Sequence, residues 1–97
     1  MAKFGSLITK EIPVLIEFYL LVTAQDDSKP ILQTVAAALG DKANVIRINI
    51  DDNTALAKAL RVKTNPTYMI YKSGEMLWRQ SESHDANTLI NAVSNYF

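Results

Sequence analysis

No cysteine occurs among the 97 residues. That absence excludes disulfide stabilisation, thiolate nucleophiles and cysteine-ligated metals. A single histidine, His84, leaves too few ligands for an ordinary zinc site, so neither a metal nor a cofactor is expected. Charge of one sign is not in excess either. Ten Lys and Arg balance ten Asp and Glu, and neither sign forms a run. Nothing therefore draws the chain electrostatically to nucleic acid or to an anionic membrane, and neither is expected as a partner. Long apolar runs are missing too. The opening Met-Ala-Lys-Phe-Gly-Ser leads into no segment suited to a secretion signal. The longest apolar stretch, over residues 14–24, falls well short of the ~20 residues that span a bilayer. A cytoplasmic location is the expectation.

What is present suits one globular domain over residues 1–97. Hydrophobic residues make up 48%, which is too apolar for disorder, and single cores of roughly 100–200 residues are common. Residues 6–11 are short and mixed, with Leu7 and Ile8 as the inner face of a one- or two-turn helix. Pro13 then opens the run Val-Leu-Ile-Glu-Phe-Tyr-Leu-Leu-Val, apolar on both alternating sets, as in a central strand covered on both faces. Residues 23–28 are polar and offer Asp26, Asp27 and Ser28 as helix caps, with Pro30 tolerable only in the first turn. Ile31, Leu32, Val35, Ala36 and Leu39 recur at helical spacing, and Gly40 is a natural stop. A second strand is expected over 44–50. A helix is expected over about 54–60, with Leu56, Ala59 and Leu60 facing inward. Strands over 67–71 and 75–80 flank the turn Lys72-Ser73-Gly74, and Asp85 caps a last helix buried through Leu89, Ile90 and Val93. The order β-α-β-α-β-β-α gives an α/β fold, a four-stranded mixed sheet with helices on both faces.

Four blocks carry a family resemblance. Residues 13–19 read Pro-Val-Leu-Ile-Glu-Phe-Tyr and residues 47–51 read Arg-Ile-Asn-Ile-Asp. Residues 65–67 read Asn-Pro-Thr, followed by Lys-Ser-Gly-Glu at 72–75. In this order and spacing, across nearly the whole chain, they resemble the thioredoxin family, and the resemblance implies the thioredoxin-like fold. The family reaction needs a Cys-x-x-Cys motif just after the first block. Here that stretch is Val22-Thr23-Ala24-Gln25-Asp26-Asp27, so the thiol–disulfide reaction has no residues to carry it and no catalytic residue is assigned.

The resemblance also implies a cis-proline at Pro66. In the family, the backbone before this proline pairs with an extended segment of a substrate protein, as in strand addition, which uses main-chain groups rather than thiols. The alternative is a proline that only shapes its loop. Glu17 stands where the family often carries a buried acid; either it pairs with a nearby cation such as Lys63 or Arg47, or water reaches it. Thr23 aligns with the nucleophilic cysteine and Asp26 with the resolving one, in a segment one residue shorter than usual. The helix N-terminus there either holds an anion or caps itself with Asp26 or Asp27. Val22 replaces the tryptophan that usually precedes the first cysteine, and Glu82 replaces a groove glycine. Trp78 is expected against the last helix, His84 in an exposed capping or loop role, and Tyr96-Phe97 either over the sheet edge or in an interaction patch.

The expectation is a redox-inactive binding module, not an enzyme, for an unknown protein or peptide. Its surface comprises Leu21, Val22, Thr23, Gln25, Asp26, Thr64, Asn65, Pro66, Thr67 and Glu82, which converge at the C-terminal ends of the parallel strands. The alternatives are a self-associating structural protein, such as a homodimer, and a family oxidoreductase whose activity this chain has lost.

Overall fold

Residues 14–19 alternate between two apolar faces with no polar side except Glu17, and they form the central strand of the sheet. The computed structural model describes residues 4–20, 28–63, 66–81 and 84–97. Its elements in chain order are α1 (Phe4–Ile8), β1 (Val14–Tyr19), α2 (Ser28–Leu39), β2 (Asn44–Asn49), α3 (Thr54–Ala59), β3 (Thr67–Lys72), β4 (Glu75–Gln80) and α4 (Ala86–Ser94). The sheet order is β2-β1-β3-β4. β1 runs parallel to β2, with Glu17 opposite Arg47, and antiparallel to β3, with Glu17 opposite Tyr68. β3 and β4 form an antiparallel hairpin whose register shifts between Ile70 and Tyr71. This is the four-stranded mixed sheet and element order expected from the sequence.

Because successive side chains alternate across the sheet, one strand feeds two cores. On one face Leu15, Tyr68 and Ile70 pack with Leu32, Val35 and Leu39 of α2 and with Leu89, Ala92 and Val93 of α4. On the other, Val14, Ile16, Phe18, Ile48, Met69 and Tyr71 pack with Phe4, Ile8, Leu56, Leu60 and Val62. Val14, Leu15, Ile16, Phe18, Met69 and Ile70 are fully buried. Truncating any one to alanine removes apolar area and opens a void, a loss of roughly 2–5 kcal/mol for Leu, Ile or Met.

The boundaries follow local chemistry. Gly40 adopts φ +53°, the left-handed conformation that ends helices, and a 3₁₀ turn (Gly40–Lys42) leads to β2. Asp85 caps α4 by accepting a hydrogen bond from the Thr88 amide at 2.8 Å. Ser73 and Gly74 sit at φ +53° and +82°, as a two-residue type I′ hairpin turn requires. Their amides donate to the Lys10 and Ile8 carbonyls, which ties the hairpin tip to the end of α1.

Some inward faces differ from expectation. In α3 the buried residue is Ala57, while Ala59 is exposed, because the stripe of Leu56, Ala57 and Leu60 leaves position 59 on the solvent side. Ala36 of α2 is likewise exposed beside Val45. The first helix begins two residues earlier than the sequence suggested, at Phe4, whose ring meets Tyr71 edge-on at 5.4 Å.

Candidate functional site

The parallel strands β1 and β2 finish together, where the Ile50 amide donates to the Tyr19 carbonyl at 2.8 Å. Open α/β sheets place their ligand sites at this end. Thr67 starts β3 beside Phe18 and is fully buried, while Pro66 is half-buried in a bend just before it. Of the surface expected from the sequence, these two residues stand at this end of the sheet. Leu21, Val22, Thr23, Gln25, Asp26, Thr64, Asn65 and Glu82 lie outside the described residues, as does the Asn65–Pro66 bond.

Beneath this end lies a buried polar group of three side chains. Glu17 is completely buried, and its Oε1 accepts a 2.7 Å hydrogen bond from Arg47 Nε. Its Oε2 accepts from the Tyr68 hydroxyl at 3.2 Å. The Arg47 guanidinium stacks 4.0 Å from the centre of the Tyr19 ring, and its side chain is 21% exposed. Adjacent-strand register makes the arrangement possible, because Arg47, Glu17 and Tyr68 are opposite one another across three strands. Of the two cations considered for Glu17 in the sequence, Arg47 is the partner. Burial pushes the Tyr68 hydroxyl above the ordinary tyrosine range. The adjacent Glu17 charge and hydrogen bond push the same way, and Arg47 opposes them.

On the opposite face the end of α3 is closed in an unusual manner. The Val62 amide donates to the Ala57 carbonyl at 2.9 Å and the Arg61 amide to the Lys58 carbonyl at 3.1 Å, a Schellman closure. Such closures commonly place glycine at the left-handed position; here Arg61 occupies it at φ +57°. Arg79 of β4 completes the end. Its Nη1 donates to the Leu60 carbonyl at 2.6 Å and its Nη2 to the Arg61 carbonyl at 2.8 Å. Alongside runs an open groove of about 550 Å³, lined by Ile50, Thr54, Ala55, Ala57, Lys58 and Val62.

His84 departs from its expected exposed role. It is half-buried, with ring centres 5.9 Å from both Tyr68 and Trp78, and its Nε2 is buried without a hydrogen-bond partner among the described residues. Trp78 is part-buried against the core that includes α4, as expected. Tyr96 does reach the sheet edge, donating its hydroxyl to the Leu77 carbonyl at 3.1 Å, whereas Phe97 remains 53% exposed. Sequence reasoning did not find Tyr68 as the second partner of Glu17, nor Arg61 and Arg79. The first is readable only through strand register. The other two have no sequence signal, because the residue that advertises a left-handed helix end is glycine.

Among the described residues no three His, Cys, Asp or Glu side chains gather as a metal site, and no helix is long and apolar enough to cross a membrane. A family profile described as Thioredoxin matches residues 1–95. The chain is 33% identical over 96 residues to the chloroplastic Thioredoxin Y of Oryza sativa subsp. japonica, covering 97% of this chain and 57% of that protein. It therefore spans little more than half of that relative. It is 27% identical over 90 residues to a thioredoxin of Rickettsia bellii, covering 92% and 86% of the two chains. Among solved structures, a mutant thioredoxin from Halobacterium salinarum NRC-1 superposes with a TM-score of 0.82 at 26% identity, covering 95% of this chain and 80% of that one.

Proposed function

The chain belongs to the thioredoxin family but holds no cysteine, and from that premise we propose that it is a redox-inactive module that binds an extended protein segment beside Pro66. One observation carries the reading: an open groove beside Ile50 and Val62, at the strand ends, in a chain with no thiol. Strand addition draws its affinity from main-chain hydrogen bonds and its selectivity from side-chain pockets, so it survives the loss of both thiols. The resemblance assigns the main-chain pairing to the backbone before Pro66, and the groove supplies a place for an apolar side chain.

Titrating the ¹⁵N-labelled protein with a library of extended peptides tests this. Binders should shift the amides of residues 62–67 (Pro66 apart). A library that moves none of them at millimolar concentration would remove the reading. Self-association is the second reading, favoured by the exposed Phe97 and by Met76, which is 39% exposed. Light scattering separates the two, since the binding module is expected to stay monomeric at high concentration.

A further inference from the structure

Arg61 holds a conformation in which an L side chain is disfavoured and glycine is not. Two devices keep it there: the Schellman hydrogen bonds from the Arg61 and Val62 amides, and the paired donation from Arg79 to the Leu60 and Arg61 carbonyls. Strained residues persist where their surroundings over-determine them, and they concentrate at binding sites. A glycine would make the same turn without strain, so the turn itself does not account for an arginine. The Arg61 side chain is exposed, as are those of Lys58 and Lys63. No ion pair engages these three among the described residues. Lys58 lines the groove together with Ile50, Ala57 and Val62. An apolar floor thus lies in a stretch of chain that carries three cations within six residues.

We propose that Arg61 determines specificity at this groove, and that its occupant is an extended protein segment in which an apolar side chain is flanked by carboxylates. The inference rests on the binding reading above and adds the chemistry of the partner. A cation near a helix C-terminus also interacts favourably with the helix dipole. That role alone would make Arg61 a stabilising residue, whereas the strain makes it a destabilising one. The sign of a substitution therefore separates the two.

The test uses two terminally blocked heptapeptides with a central leucine, flanked on each side by two glutamates or by two glutamines. Amide shifts and calorimetry read the binding. The glutamate peptide is expected to bind roughly tenfold more tightly at low salt, and the difference to shrink as the Debye length contracts. Arg61→Gly should raise Tm by about 4 °C through relief of strain. The same variant should weaken the glutamate peptide roughly threefold and leave the glutamine peptide unchanged. Arg79→Met should lower Tm and shift the amides of residues 60–63, because the clamp on the Leu60 and Arg61 carbonyls is lost.

Equal affinity for the two peptides would overturn the acidic partner while leaving the groove as a docking site. Failure of both peptides to move any amide of residues 62–67 would overturn the site itself. An Arg61→Gly variant with lower Tm than the parent would remove the premise of strain.

Discussion

The two ends of the sheet are built on different terms. Where β1 and β2 begin and the β3–β4 hairpin turns, the chain is closed by backbone hydrogen bonds: Ser73 to Lys10, Gly74 to Ile8 and Asn44 to Pro13. The hairpin turn needs the left-handed conformation at Ser73 and Gly74, so this end too holds one non-glycine residue, Ser73, at positive φ. Where β1 and β2 finish, one face holds a buried carboxylate and a half-buried histidine whose nitrogen is unpartnered among the described residues, and the other face holds a left-handed arginine. Both ends belong to the same strands and share the same two cores. What separates them is burial of polar groups: Glu17 and the His84 nitrogen are buried at the end where α/β sheets place ligands, and the other end is held by main-chain hydrogen bonds.

The largest expected break in this contrast comes from Arg47. Among the described residues, Arg47→Leu leaves Glu17 buried with only the Tyr68 hydroxyl as a side-chain hydrogen-bond donor. Uncompensated buried charges cost about 3–5 kcal/mol; partial exposure of the Arg47 site lets water in, which favours the lower figure, about 3 kcal/mol. Chemical denaturation should show that loss, with Tm falling by roughly 15 °C. The double variant Glu17→Leu/Arg47→Leu should recover most of it, because the carboxylate faces the Leu15 side of the sheet and an apolar core accepts leucine. A double variant as unstable as the single one would show that the ion pair itself, and not the unpaired charge, holds this end.

Tyr68→Phe is a smaller cut in the same group. It removes one hydrogen bond to a charged acceptor and leaves Glu17 paired with Arg47, a loss of about 1.5 kcal/mol. The pH profile sharpens it. The hydroxyl titrates above its unfolded value of about 10 because burial disfavours the phenolate. Above pH 10 the unfolded chain therefore releases a proton that the folded chain retains, and stability falls as pH rises. Tyr68→Phe should flatten part of that alkaline decline, measured by urea unfolding between about pH 9 and pH 11. A decline of unchanged slope would assign it to other groups, such as Tyr71, which burial also raises.

At the opposite end, Gly74→Ala tests whether the turn is as relaxed as it looks. The added β-carbon would meet only Thr9 Cγ2, at an ordinary 3.8 Å, so the penalty comes from φ +82° alone. That is about 1 kcal/mol of destabilisation. Arg61→Gly, expected to stabilise, is the same exchange run backwards at the other end. If both substitutions destabilised, Arg61 would be favoured at its left-handed position, and the strain assigned to it would be absent.

The same contrast explains what the sequence made legible. The apolar run of residues 14–19, the Ser73-Gly74 turn and the Asp85 cap are local signals, since period, turn chemistry and capping act over a few residues. They gave the element order and the sheet. Glu17 was readable as an acid needing a cation, and Arg47 was one of two candidates, but choosing between them needed the register of β1 against β2. Tyr68 and Arg79 act across strands, and no short pattern reports them. His84 misled because its neighbour Asp85 is a surface cap, whereas its own ring packs between Tyr68 and Trp78. The absent thiols were visible at once, and they account for the reaction that is missing, not for the strain that remains.

The smallest expected effect separates polarity from burial at the site end. Asp85 is exposed, and its carboxyl titrates below the ordinary aspartate range because it accepts hydrogen bonds from Thr88, with His84 adding a little in the same direction. A lowered folded value means that its contribution is present above the unfolded value of about 3.9 and is lost as pH falls below it. Asp85→Asn keeps an acceptor for the Thr88 amide, so Tm at neutral pH should scarcely move. Between about pH 4 and pH 2 the variant should lose less stability than the parent. If instead Asp85→Asn cost as much at neutral pH as Tyr68→Phe, charge alone would be enough to make this end sensitive. A small effect confined to acid would leave burial, as at Glu17, as the property that sets the two ends of the sheet apart.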